Sequence, residues 1–67
     1  MSTRYEIRIP CALSDTIRAA FPEMDAVALG PATTVLAGPV RDQAELHGLV
    51  ARLADLGIDI TEIRTQP

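Results

Sequence analysis

The chain has 67 residues, read as a single unit over residues 1–67, with one cysteine and one histidine; this rules out an intrachain disulfide framework and leaves no cluster that suggests structural zinc. The formal net charge is −3, and the six basic residues are arginines spread singly at Arg4, Arg8, Arg18, Arg41, Arg52 and Arg64, so no basic patch exists for nucleic acid. A hydrophobic fraction of 48% with no apolar run near the roughly 20 residues that span a bilayer, and no apolar leader in "MSTRYEIR", predicts a globular cytoplasmic chain.

"RYEIRI" alternates Tyr5, Ile7 and Ile9 with Arg4, Glu6 and Arg8, the period of a strand with one buried and one wet face. Pro10 ends it. "LSDTIRAAF" then sets Leu13, Ile17, Ala20 and Phe21 at helical spacing, with Ser14 or Asp15 available as N-cap and Pro22 as the stop. "DAVALG" and "TTVLAG" are two strand-like runs, and Gly30 and Pro31 between them supply the turn of a hairpin.

A second helix starts at Asp42, with Glu45 three residues on in the pattern of a capping box. Leu46, Leu49, Val50, Leu53 and Leu56 form its apolar side, and Gly57 stands where a left-handed residue ends a helix. "IDITEIRT" reads as a last strand in which Ile58 and Ile60 are in phase and Ile63 is not; either a bulge intervenes or Ile63 faces the other side. The order βαββαβ predicts an α+β ferredoxin-like sandwich: a four-stranded antiparallel sheet, order 4-1-3-2, with both helices on one face. Its open face is expected to show Arg4, Glu6 and Arg8 beside Ala26, Ala28 and Leu36.

Opposite the apolar side of the second helix run Ala44, Gly48, Ala51 and Asp55. Gly48 costs roughly 0.8–1 kcal/mol against alanine in a helix interior, and close approach of another backbone is one compensation. An alanine-rich composition is the plainer account of the rest of the stripe. A core this small is commonly supported by a partner chain when disulfides and metals are lacking. The stripe is therefore a candidate surface for a homodimer or for another protein.

The run Leu36, Gly38, Pro39, Val40, Asp42, Gln43, Ala44, Leu46, His47, Gly48 and Leu49, followed by Leu53, Leu56 and Gly57, resembles a pattern in small hypothetical proteins of actinobacteria, which also begin with a "YEIRI" strand. The resemblance implies that Asp42, Gln43, His47 and Gly48 are family features, without dividing them between structure and chemistry. Pro10 and Cys11 depart from it where a glycine-containing turn is expected, which counts against a special role for Cys11.

Three other candidates follow from chemistry. His47, at the edge of the apolar face, is expected to be partly buried; a general base needs a partner and a pocket, and a structural hydrogen bond is the plainer role. Cys11 precedes the first helix, where a thiol pKa can be lowered, but ferredoxin-like metallochaperones carry two cysteines in that loop and this chain has one. Gln43 follows the cap and is free to brace the "AGPV" turn or to meet a partner. Aromatics are only 3% of the chain, and Tyr5 and Phe21 fall on the core side, so base stacking on an open sheet is not expected.

The sequence thus predicts a non-enzymatic interaction or regulatory module that self-associates, with no cofactor or metal. The alternatives are a small-ligand-binding domain resembling the ACT type, with its ligand at a dimer interface, and, ranked below it, a small dimeric enzyme using His47.

Overall fold

The computed structural model describes residues 2–66, in the order β1 (Thr3–Ile9), α1 (Asp15–Ala20), β2 (Asp25–Gly30), β3 (Thr33–Val40), α2 (Gln43–Asp55) and β4 (Glu62–Thr65). The sheet order is β2-β3-β1-β4 with every neighbouring pair antiparallel, which is the expected 4-1-3-2 arrangement. Both helices cover one face. There Ile7, Ile9 and Leu36 from the sheet meet Ile17 and Phe21 from the α1 region and Leu49 and Leu53 from α2. Each side chain buried this fully contributes about 1.5–3 kcal/mol relative to exposure.

Helix ends follow their side chains. Ser14, not Asp15, caps α1, its hydroxyl accepting from the Ile17 N–H at 3.2 Å. Asp42 caps α2 by accepting from the Glu45 N–H at 2.8 Å. The Glu45 carboxylate reaches back to the Arg41 N–H at 3.2 Å, one residue earlier than in a standard capping box. At the other end Gly57 has φ +72°; its N–H donates to the Ala54 carbonyl and that of Ile58 to the Leu53 carbonyl, both at 3.0 Å. This is the Schellman pair of bonds, closed by Ile58 packing on the core that contains Leu53.

The hairpin turn is the two residues Pro31 and Ala32. Neither has positive φ, so the turn is not one of the primed types whose twist suits a hairpin. A register shift between Ala28 and Gly30 absorbs the mismatch. β3 runs on through Pro39, which pairs with Arg4 on β1. β2 pairs with β3 only as far as Ala37, so at Pro39 the strand has an open side, where proline is tolerated.

Two expectations need correction. The open face carries Val27, Val35 and Ala37, not Ala26, Ala28 and Leu36, because Leu36 lies opposite Ile7 and Ala26 opposite Leu36, and Leu36 is 0% exposed. The last strand is shorter than the run "IDITEIRT". Ile58 and Ile60 reach the core from the loop before β4, and Ile63 pairs with Ile7 on the core side of an edge strand, where it is 39% exposed. No helix among the described residues is long and apolar enough to cross a membrane.

Candidate functional site

Ala44, Gly48, Ala51 and Asp55 all lie exposed on the outer face of α2. A Cβ placed on Gly48 meets nothing within 4 Å, so no contact inside the protomer calls for glycine there. His47 is also exposed. This corrects its expected partial burial: the helix turns it past the edge of the side that buries Leu49 and Leu53, and no acidic or basic group among the described residues pairs with it.

Gln43 is exposed and lines an open groove of about 350 Å³ with Thr3, Tyr5, Val40, Arg41 and Asp42. The groove lies where the start of β1, the end of β3 and the first turn of α2 meet. Arg41 is paired with the Glu45 carboxylate, Nε to Oε2 3.0 Å. Cys11 is at the other end of β1, half-buried against the core. Its carbonyl accepts from the Thr34 hydroxyl at 2.8 Å, which satisfies the one fully buried polar side chain. Gln43 and Asp42, neighbours in the chain, both line the groove; His47, one turn along α2 from Gln43, is not among its lining residues, and Cys11 lies at the opposite end of β1. Among the described residues no three of His, Cys, Asp and Glu are grouped to hold a metal.

The open sheet face is divided. Its β1 and β4 side is charged: Glu6 lies opposite Arg64 and Arg8 opposite Glu62. Gln66 bridges Arg4 and Glu6, accepting from Arg4 Nε at 3.1 Å and donating to Glu6 Oε1 at 2.6 Å, while Arg64 binds Glu62 on its own strand. These side chains crowd over Val35, which is only 8% exposed although it faces away from the helices. The β2 side is apolar and open, with Val27 49% and Leu29 53% exposed. β2 is also a free edge of the sheet. The signal for this was present in "DAVALG", six residues with no proline and no charge after Asp25.

A second feature absent from the sequence reading joins the helices. Arg52 of α2 donates to the Ala20 carbonyl at 2.7 Å and to both Glu23 carboxylate oxygens at 2.7 and 3.2 Å. Its guanidinium stands 5.1 Å from the centre of the Phe21 ring. The hydrogen bond from Arg52 holds the Glu23 carboxyl below its usual pKa, outweighing partial desolvation, and the same bond raises that of Arg52.

Against known protein families, the model described as Domain of unknown function (DUF8691) matches residues 4–64. No curated protein and no solved structure matches the chain.

Proposed function

The chain belongs to the family of the Domain of unknown function (DUF8691), and on its own geometry we propose that it is a non-enzymatic protein-interaction module that self-associates. The observation that carries this reading is the β2 edge, where the two most exposed large apolar side chains, Val27 and Leu29, sit on a strand that pairs with β3 on one side and has its other edge free. An edge of that kind is a template for pairing with another chain; natural sheets ordinarily blunt it with lysine, proline, bulges or cover, and of these β2 has only the register shift between Ala28 and Gly30, near its end. The narrower likeness to small actinobacterial proteins and a cytoplasmic setting belong to the same proposal.

The outer stripe of α2, from Ala44 through Gly48 and Ala51 to Asp55, is the alternative contact surface within this reading. A small-ligand-binding domain resembling the ACT type is the second reading, supported by the groove beside Gln43. The enzyme alternative has the least support, since His47 stands exposed and outside that groove.

Sedimentation or light scattering of the purified chain over a dilution series tests the proposal. The expected result is a mass of two chains that falls toward one on dilution. A single-chain mass at every concentration would remove self-association and leave the β2 edge and the α2 stripe as docking sites for a different protein.

A further inference from the structure

We propose that two copies of the chain pair antiparallel along their β2 edges about a two-fold axis, forming one eight-stranded sheet with the two α1 helices side by side above the seam. This rests on the self-association reading and names its surface.

The two free edges of the sheet are unlike. β4 is four residues long and carries Glu62 and Arg64, two of the devices that discourage edge pairing. β2 carries a single charge, Asp25, at its start. Antiparallel pairing centred on Val27 sets the two Asp25 residues about four positions, roughly 14 Å, apart along the ribbon, beyond the screening length of about 8 Å at physiological salt. Each Asp25 also has Arg4 of its own chain at 3.8 Å. The register shift between Ala28 and Gly30 lies just beyond Ala28, so pairing centred on Val27 is regular over Ala26–Ala28.

The occupant follows from α1. The β1-to-β2 connection crosses over β3; with the right-handed sense that nearly all such crossovers have, α1 runs antiparallel to β2, the strand it packs against. Ile17 points into the core. At about 100° per residue the right-handed turn then brings Arg18 to the flank above the β2 edge, with Asp15 less than one turn before it on the same outer side. Both are exposed, and neither forms an ion pair among the described residues.

A two-fold axis through the seam sets the α1 helices antiparallel. Acidic first turn then meets basic last turn twice, Asp15 against Arg18 of the other copy and the reverse. With the paired strands about 4.8 Å apart, a helix packed on each β2 lies beside its two-fold mate across the seam. The second copy thus supplies both a strand for β2 and opposite charge for α1. An extended peptide supplies only the strand.

The test uses the full chain and measures its solution mass over a dilution series, with circular dichroism confirming the fold of each variant. Val27→Lys and Arg18→Glu are each expected to raise the dissociation constant at least tenfold, and Arg18→Glu combined with Asp15→Arg to bring it back toward the wild type. Gly48→Arg is the control on α2 and is expected to leave it unchanged. If the wild type dimerises but Val27→Lys and Arg18→Glu dimerise equally well, or if Gly48→Arg alone dissociates it, the β2 seam is overturned while self-association stands. A wild type that is monomeric throughout overturns both.

Discussion

An alanine at Gly48 adds a methyl group to open space, since beyond its own helical backbone and chain neighbours no atom lies within 4 Å of where its Cβ falls, and the backbone there is ordinary helix. Gly48→Ala should therefore stabilise the folded chain by about 0.8–1 kcal/mol, a rise of roughly 4–8 °C in Tm for a domain of this size. The same methyl at Gly38 falls 2.8 Å from the Met24 sulfur and 3.4 Å from the Glu23 carbonyl oxygen. Met24 is itself buried, so it has little room to swing away, and Gly38→Ala should destabilise by about 1–3 kcal/mol. Thermal melts of the two variants should move in opposite directions; a gain at both positions would mean that the lead-in to β2 does not press on β3. Gly48→Ala also bears on the interface. If α2 seats a second backbone there, association weakens although the fold gains stability, whereas pairing through β2 leaves association as it was.

Caps dominate at the level of elements, and they are also what a sequence displays most openly. Asp42 accepts the Glu45 N–H, so Asp42→Ala should cost about 1 kcal/mol, seen as a shift in urea midpoint without change of slope; an unchanged midpoint would assign the start of α2 to Glu45 and packing alone. Asp42, Glu45, Leu49, Leu53 and Gly57 were legible because helix signals are local, lying within one or two turns of the residues they act on. The phase of the open face was not legible. Ala26, Ala28 and Leu36 carry the same apolar letter on either side of a sheet, and only the pairing of Leu36 with Ile7 decides which side they take. The start of β4 was misplaced for the same reason: Ile58 and Ile60 alternate as a strand does, yet the Schellman turn at Gly57 delivers them to the core from a loop, and the strand begins at Glu62. The candidate surfaces divide in the same way. The α2 stripe could be read from helical spacing, and the expected order 4-1-3-2 already put β2 at the sheet's edge; what the letters did not decide is that Val27 pairs with Val35 on the open face.

Two helices on one face of a four-stranded sheet meet each other mainly through the core, and in the whole molecule Arg52 adds a polar tie above it. From α2 it binds the carbonyl of Ala20 at the end of α1 and the carboxylate of Glu23 in the connection that leads to β2. The two charged side chains are 38% and 46% exposed, so water and salt weaken the pair, and exposed pairs contribute little individually. Its pH dependence is nevertheless distinctive. The hydrogen bond to Arg52 places the folded-state pKa of Glu23 below its ordinary value of 4.5, so the pair's contribution is fully present above that value and is lost as pH falls through the folded value. Arg52 stays charged throughout this range, so Glu23 alone titrates the tie. Wild type should accordingly melt above Glu23→Gln at pH 7, and the gap should close as pH is lowered below 4.5 and shrink with added salt. A gap that persisted undiminished at pH 2 would show that Glu23 acts through its shape and its neutral hydrogen bonds, and the join between the helices would then rest on Arg52 with the Ala20 carbonyl and the Phe21 ring.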